Sequence, residues 1–584
     1  MCGQNVVPMA DPLLTVADRL APAFSAVAGG PADPVVRPSD RADAQANGVM
    51  ALAKIVGGSP RDVAQKVMDA AGDMSAVVSM EIAGPGFINL VFNDDFIASE
   101  LHAISADERL GVRAVTAVRT VVVDYSAPNV AKEMHVGHLR STVIGDSIVR
   151  LQSFVGNTVL RENHIGDWGT PFGMLIEHLI DLGEEEAAHE LGVGDLDGFY
   201  KDARRSFEAS EDFKTRARNR VVALQSGDPE TLRLWRTLVA ESTKYFNKVY
   251  RQLDVLLDDG DLMGESAYND LLAPVVERLR AAGLLQVSDG AEVVFPPGFT
   301  NRDNEPLPMI VRKADGGYGY AATDLATVID RAERKSANSM LYVVGAPQAQ
   351  HLQMVEAVAR MAGWIDETVE FNHVAFGSVL GSDRKMLKSR AGESIKLSAL
   401  LDESVERAAA AIAEKNPGMP ADERARVAQM VGIGAIKYAD LSGDRIKDYI
   451  FDWERMLSFD GNTAPYLQYA HARICSIFRR AGIDRGSVRS SAPVLGHPHE
   501  RALALRLLRF DAAVWEAAEA NSPHRLCTYL YDLASDFTAF YEHCPVLKAD
   551  DATVRASRLH LSDITARVME RGLDLLGIGA PEQM

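Results

Sequence analysis

The chain has 584 residues, too many for a single hydrophobic core, so about two to four domains are expected. Its 47% apolar and 24% charged residues are those of a globular protein, and the sequence contains no apolar run of about 18 residues that would predict a membrane span. The four cysteines include no C-x-x-C pair, which argues against a disulfide framework or a zinc site. The N-terminus lacks a signal-peptide pattern, and together with the few cysteines this favours the cytoplasm. The net charge of −20 excludes a uniformly basic nucleic-acid binder.

Residues 1–115 are predicted to form a separate small domain with helices and strands. A proline-rich segment and an alanine-rich helical pattern precede the turn Ala83-Gly84-Pro85-Gly86, and an apolar run then predicts a strand from Phe87. Nothing in these residues indicates catalysis.

The stretch from Thr120 to Val155 predicts a strand, a polar turn and an amphipathic helix, the entry to a doubly wound α/β domain. His135 and His138 are three residues apart at the start of the helix, so their imidazoles are expected to share a face. Gly137 between them leaves room for a ligand to approach the backbone. A helix N-terminus and two neutral imidazoles offer donors to phosphate, although an H-x-G-H pair alone is equally compatible with capping or packing.

The second half of this α/β domain is expected after an insertion at about 183–293, which is helical, charged and without predicted chemistry. A strand is predicted at Met309 to Arg312, followed by a helix in which Tyr320 and Asp324 are four residues apart and hence neighbours. Another buried strand from Leu341 leads to Gln348. Because each polar turn follows an apolar strand, the side chains of these turns are expected to converge at one edge of a single sheet.

A basic loop follows the strand-like run that ends at Leu380. It contains four basic residues between Gly381 and Gly392, which fits either a mobile phosphate-binding loop or an ordinary solvated turn.

Residues 455–584 are predicted to form a helical bundle. Tyr466, Tyr469 and Arg473 form an aromatic and basic set able to stack on single-stranded bases, but buried tyrosines of a bundle explain the same pattern. Between Arg473 and Arg509 there are eight arginines against Asp484 and Glu500, a local charge of +6 that fits either an RNA-binding patch or a solvated helix face.

Three stretches of the sequence resemble a known family. Residues 126–141, SAPNVAKEMHVGHLRS, resemble the "HIGH" signature of class I aminoacyl-tRNA synthetases and, in their flanks, the arginyl-tRNA synthetase family in particular. Residues 164–173, HIGDWGTPFG, are similar to a second stretch typical of that family, and residues 385–389, KMLKS, resemble its "KMSKS" loop with Leu387 where serine is usual. The resemblance extends over nearly the whole chain.

The resemblance implies a multidomain α/β fold. It comprises a Rossmann-type doubly wound parallel-sheet catalytic domain at 116–454, a small α+β N-terminal domain at 1–115 that touches tRNA, and an all-α anticodon-binding bundle at 455–584. The implied activity is arginine–tRNA ligation, in which ATP activates L-arginine to arginyl-adenylate and pyrophosphate before transfer to the 3′-terminal adenosine of tRNA.

The resemblance also implies the site residues. A carboxylate holds a guanidinium bidentately, so Asp324 beside Tyr320 is the candidate guanidinium contact and Asp124 a second carboxylate. The implied residues for catalysis are His135, His138, Lys385 and Lys388; those for arginine are Asp124, Ala127, Pro128, Asn129, His138, Tyr320, Asp324 and Gln348; those for ATP are His135, Gly137, His138, Lys385, Met386, Lys388 and Ser389; and those for tRNA are Tyr466, Tyr469 and Arg473. Relatives often have serine where this chain has Ala127.

The implied partners are tRNA, L-arginine and ATP. Mg²⁺ is expected on the ATP phosphates without a dedicated protein site, and the protein is expected to be a monomer with no membrane contact. Two rival functions are a tRNA-independent adenylylating ligase, against which the long C-terminal bundle argues, and an inactive tRNA-binding paralogue. The presence of both histidines, Lys385, Lys388 and Asp324 argues against the paralogue.

Overall fold

A computed structural model describes residues 11–183, 196–387, 395–490 and 493–584. Within these ranges no helix is long and apolar enough to cross a lipid bilayer. The elements follow one another as a small mixed unit, a parallel sheet interrupted by helices and a second small sheet, and a helical bundle.

The N-terminal unit is a four-stranded antiparallel sheet covered by helices. Its strand order is β1-β2-β4-β3, and helix α1 begins where the Asp11 side chain accepts the Leu13 N–H and ends at the left-handed Gly29. The elements are α1 Pro12–Ala28, β1 Val36–Pro38, β2 Ala44–Ala46, α2 Val49–Val56, α3 Pro60–Ala70, β3 Val77–Ala83, β4 Phe87–Phe92 and α4 Asp94–Ala106.

The central sheet of the chain has four parallel strands in the order β11-β10-β5-β6. Strand β5 is buried along most of its length and sits at the centre, as its β-branched sequence predicts. The doubly wound parallel sheet expected from the sequence is confirmed. Its elements are β5 Thr120–Asp124, α5 Val136–Phe154, β6 Thr158–Glu162, α11 Tyr320–Ile329, β10 Ser339–Tyr342, α12 Ala349–Met361 and β11 Glu370–His373.

The segment between β6 and α11 contains helices and a separate sheet. Strand β9 forms at the predicted residues, but it belongs to a three-stranded antiparallel sheet of order β7-β8-β9, so the expectation that it is part of the parallel sheet is wrong. The reason is visible in its burial, since Met309 and Val311 are buried while Ile310 is 47% exposed, which is typical of a strand with one solvated face. The turn after β9 nevertheless lines the same cavity as Asn129, as the expected convergence of the turns requires. The elements are α6 Pro171–Leu182, α7 Leu196–Ala209, α8 Glu211–Gln225, α9 Pro229–Leu253, α10 Asn269–Ala281, β7 Gln286–Ser288, β8 Ala291–Val294 and β9 Met309–Arg312.

After β11, the described residues form helices and one short pair of parallel strands, β12 and β13. Ion pairs join the bundle to the rest of the protein: Arg113 contacts Asp511, and Arg501 contacts both Asp43 and Asp94 of the N-terminal unit. The elements are β12 Val379–Leu380, α13 Leu397–Lys415, α14 Ala421–Leu441, β13 Tyr449–Ile450, α15 Trp453–Met456, α16 Ala464–Ala481, α17 Pro498–Leu507, α18 Phe510–Glu519, α19 His524–His543 and α20 Ala552–Leu575.

Candidate active site

The loop between β5 and α5 has an unusual backbone. Ser126, Ala127 and Ala131 all have positive φ values, 74°, 48° and 58°, a region that residues with a side chain seldom adopt. Asn129 packs against Gly166 so closely that a Cβ atom there would lie 2.3 Å from Asn129 Oδ1. The loop residues Ala127, Pro128 and Asn129 are therefore held in one conformation at the end of the central strand, and Asn129 lines a cavity of about 630 Å³.

His135 and His138 lie together at the N-terminus of α5, as the sequence predicts, with ring centroids 4.1 Å apart. Their Nδ1 atoms accept backbone N–H groups, those of Gly137 at 3.0 Å and of His135 at 3.1 Å respectively. Since an accepting nitrogen carries no proton, each neutral ring has its proton on Nε2. Loss of hydration within the loop lowers the pKa of His138 to about 3 and also lowers that of His135, so both rings are neutral donors at pH 7.

The first N–H groups of α5 are already bonded, which corrects the expectation that they are free for phosphate. Val136 donates to Ile395 O, Gly137 to His135 Nδ1, and His138 to His135 O. The His135 ring leaves little room for a side chain at Gly137, because a Cβ atom there would lie 2.8 Å from His135 Cε1. The donors left for a ligand are therefore the two Nε2–H groups.

The Glu265 carboxylate lies at the cavity, where the charges of Asp167 and Asp324 act on it. Burial and the charges of Asp167 and Asp324 raise the pKa of Glu265, which lines the cavity, to about 7. Asp167 is bonded to the N–H and hydroxyl of Ser266, whereas the Glu265 carboxylate makes no hydrogen bond or ion pair with any other described residue. Sequence reasoning missed Glu265, which lies in a stretch that was assigned no chemistry; the one signal is the preceding Gly264, where a Cβ would lie 2.3 Å from Asp167 Oδ2.

Asp324 is the fifth residue of α11 and is paired with His351. Its Oδ2 is 2.5 Å from His351 Nε2, and this hydrogen bond raises the pKa of His351. Tyr320, which lines the cavity, is 77% exposed, and the described residues show no hydrogen bond between it and Asp324. Gln348 is exposed at the end of the short turn that follows β10.

Asp124 has an internal partner. Its Oδ2 accepts from Arg331 at 2.7 Å, and the fully buried Arg331 also pairs with Glu162. Asp124 Oδ1 is buried with no hydrogen-bond partner among the described residues. Asp124 is thus ion-paired with an arginine that it shares with Glu162, and its second oxygen is left without a partner among the described residues.

The basic loop begins with a tight turn. The N–H of Gly381 donates to Lys385 O, and Met386, 57% exposed, bridges back to Leu380. Lys388 and Ser389 lie outside the described residues. Leu387 packs against the main core and its N–H donates to Val379 O, so leucine anchors the loop at the position where the related motif has serine.

The aromatic and basic set on α16 is partly exposed. Tyr469 is 37% exposed, lies 6.2 Å from Phe459, and has the Arg473 guanidinium 4.9 Å from its ring, while Tyr466 is half-buried beside Tyr531. We call the set Phe459, Tyr469, Arg473, Tyr541 and Lys415 the bundle patch; its two cations lie over its aromatic rings.

The arginine-rich stretch is largely occupied by internal contacts. Arg485 and Arg489 pair with Asp563, Arg501 with Asp43, and Arg506 with Asp532 and Asp536. Four of the eight arginines therefore join parts of the structure to one another, and the local charge of +6 overstates what is available to RNA.

Comparison with known proteins identifies relatives of the whole chain. Three family models match: "Arginyl tRNA synthetase N terminal domain" at 15–92, "tRNA synthetases class I (R), catalytic domain" at 100–453, and "DALR anticodon binding domain" at 467–584. The arginine–tRNA ligase of Thermobifida fusca is 55% identical over 99% of this chain and 100% of its own length, and that of Citrobacter koseri is 49% identical over 96% and 97%. Among solved structures, the arginyl-tRNA synthetases of Plasmodium falciparum (TM-score 0.83, 28% identity, 98% of this chain and 99% of that one) and Thermus thermophilus (TM-score 0.80, 27%, 98% and 100%) share the fold.

Proposed function

The chain belongs to the arginyl-tRNA synthetase family, and from that premise we propose how its residues divide the work of an arginine–tRNA ligase. The enzyme activates L-arginine with ATP, giving arginyl-adenylate and pyrophosphate, and then transfers arginine to the 3′-terminal adenosine of its tRNA. We also propose domain limits of 1–115, 116–454 with an insertion at about 183–293, and 455–584.

The arginine side chain is proposed to bind beside the three carboxylates. Asp324 and Glu265 present acceptors to the planar guanidinium, whose fixed fork of donors suits two carboxylates better than an ammonium does. Asp124 contributes its remaining oxygen. Asn129 and Gln348 are assigned to the α-amino and carboxylate groups of the substrate, and Tyr320 stays with Asp324 at the guanidinium. Ala127, Pro128 and His138 line the rest of the arginine site.

The nucleotide is proposed to bind at the N-terminus of α5. A carboxylate oxygen of arginine attacks the α-phosphorus of ATP, the bond from that phosphorus to the bridging oxygen breaks, and pyrophosphate leaves with the bond's electrons. The Nε2–H groups of His135 and His138 donate to the phosphate oxygens as their charge develops, and Lys385 and Lys388 neutralise the departing pyrophosphate. Gly137, Met386 and Ser389 complete the nucleotide contacts.

Mg²⁺ is proposed to arrive with the ATP phosphates, whose oxygens are the hard ligands that it prefers. The described residues contain no cluster of three or more side chains placed to hold a metal ion. The tRNA is proposed to contact the bundle patch together with Tyr466, since exposed rings and cations suit single-stranded bases. The enzyme is further proposed to act as a cytoplasmic monomer.

The observation that supports the site assignment is the Glu265 carboxylate, which lines the cavity without a hydrogen-bond or ion-pair partner among the described residues. Such a carboxylate, with the charges of Asp167 and Asp324 acting on it, makes the cavity favourable for a cation. The test is ATP–pyrophosphate exchange with and without tRNA, comparing arginine with citrulline, which has the same shape but no charge. We expect exchange with arginine and a loss of roughly 10²-fold or more with citrulline, the size expected when a charged hydrogen-bonded group is left unmatched. Equal exchange with both amino acids would show that the carboxylates do not face the side chain.

A further inference from the structure

Three side chains on one face of α9 hold the loop between β5 and α5 and the segment beside it. The Trp235 Nε1–H donates to Asp167 O at 2.7 Å, Ser242 Oγ accepts the Ala131 N–H at 2.9 Å, and Tyr250 OH lies 2.8 Å from Ser126 Oγ. The residues are seven and eight positions apart, about two helical turns in each case, so they share a face. The insertion therefore reaches both ends of the loop that carries Asn129.

The Tyr250 hydroxyl is the centre of a buried hydrogen-bond network. The Ala127 N–H donates to Asn163 Oδ1 at 3.0 Å, which turns Asn163 Nδ2 toward Tyr250, at 2.9 Å. Because the tyrosine oxygen accepts from Nδ2, its own proton is directed at Ser126 Oγ. Ser126, Asn163 and Tyr250 are each at most 3% exposed, so a lost member is not replaced by bulk water.

The network acts on the residues whose backbone is strained. Ser126 and Ala127 at one end of the loop and Ala131 at the other have the positive φ values, and such conformations persist only where neighbouring groups enforce them. Asn129 lies between these ends, against Gly166. The position of its amide is thus set by groups that never touch the cavity.

We propose that hydrogen bonds from α9 fix the conformation of the arginine-binding loop, with Tyr250 and Ser242 as positioning residues that hold Asn129 in place for the substrate. The inference rests on the proposed assignment of Asn129 to arginine, and it gives the helical insertion a role in substrate affinity. Ordinary structural packing of Tyr250 would instead affect stability while leaving the KM for arginine unchanged.

The test is Tyr250→Phe, which removes one hydroxyl and keeps the ring. At saturating tRNA we expect the KM for arginine to rise roughly ten- to hundredfold, the effect of a displacement of about 1 Å in a binding group, with the KM for ATP within about twofold. Tyr438→Phe is the matched control, because its hydroxyl is also buried and bonded, 2.6 Å from Asn462 Oδ1 and 3.0 Å from Cys527 O. Tyr438 lies on α14 and its hydroxyl contacts the bundle rather than the loop between β5 and α5. The control should change neither KM.

Two further variants separate the possible outcomes. If a folded Asn129→Ala variant leaves the KM for arginine unchanged, the assignment of Asn129 to arginine is wrong, and the proposed role of α9 in arginine binding is wrong with it. If Asn129→Ala raises that KM and Tyr250→Phe does not, the assignment of Asn129 stands and only the proposed role of α9 is wrong. Should Tyr250→Phe not fold, Ser242→Ala decides by the same measure, and faster hydrogen exchange of the Ala131 amide in that variant reports the loosened loop.

Discussion

The proposed nucleotide side of the site is built from neutral donors, whereas the proposed arginine side is built from carboxylates. His135 and His138 are kept uncharged by desolvation, so they add no fixed charge before ATP arrives. Burial and the charges of Asp167 and Asp324 raise the pKa of Glu265, and a guanidinium bound there, as proposed, would relieve that repulsion. The difference teaches that the proposed site would bind its two ligands in different ways, the nucleotide through directed hydrogen bonds from the start of α5 and arginine through the charge of carboxylates from distant parts of the chain.

His138→Ala tests the nucleotide side and should have the largest effect. We expect adenylate formation to fall by about 10²- to 10³-fold, the usual loss for one donor to the transition state, with the fold intact. Stopped-flow or pyrophosphate-exchange rates measure it, and His499→Ala in the bundle is the control. Near-normal exchange in the folded variant would place the phosphates elsewhere.

Asp324→Asn tests the arginine side. A lost charge-assisted hydrogen bond is worth about 1.5–3 kcal/mol, so the KM for arginine should rise by about 10- to 100-fold while that for ATP stays nearly constant. Asp270→Asn, an exposed acid in α10, is the control. A rise in the KM for ATP instead would move Asp324 to the nucleotide side.

The pH dependence of arginine binding sharpens the same contrast. Glu265 has a raised pKa of about 7, so it gains a proton and loses its charge as the pH falls through that value. The KM for arginine should then rise about tenfold from pH 8 to pH 6, and the KM for ATP should not follow it. Glu265→Gln should raise the KM at pH 8 and flatten the profile; a profile unchanged by the substitution would assign the titration to another group, such as His351.

Tyr469→Ala tests the bundle patch and should have the smallest effect. Loss of one stacked base costs about 1–3 kcal/mol, so the KM for tRNA should rise by about tenfold, with adenylate formation at saturating tRNA unaltered. Val494→Ala, at an exposed apolar residue of the bundle outside the patch, is the control. An unchanged KM for tRNA would mean that the patch faces solvent in the complex.

The sequence was sufficient for those parts of the site that depend on local pattern. The strand, turn and helix around His135 follow from β-branched and helical periodicity, and the histidine pair follows from its spacing. Glu265 was not predictable, because it approaches Asp324 only through tertiary folding across almost sixty residues of chain. Strand β9 was assigned to the wrong sheet because four residues do not reveal whether one face or two are buried. The ion pairs of the arginine-rich stretch were not predictable because their partners, such as Asp43 and Asp563, lie in distant parts of the chain.

The pairing of β5 with β10 has a consequence for biosynthesis. These two central strands are neighbours in space, yet residues 125–338 separate them in the chain. At about 5–20 residues per second, a ribosome needs roughly 10–40 s to deliver the second strand after the first. During that interval β5 has β6 on one side and an unpaired apolar edge on the other, so the nascent chain is most exposed to misassembly and to chaperone binding between the synthesis of residues 162 and 339.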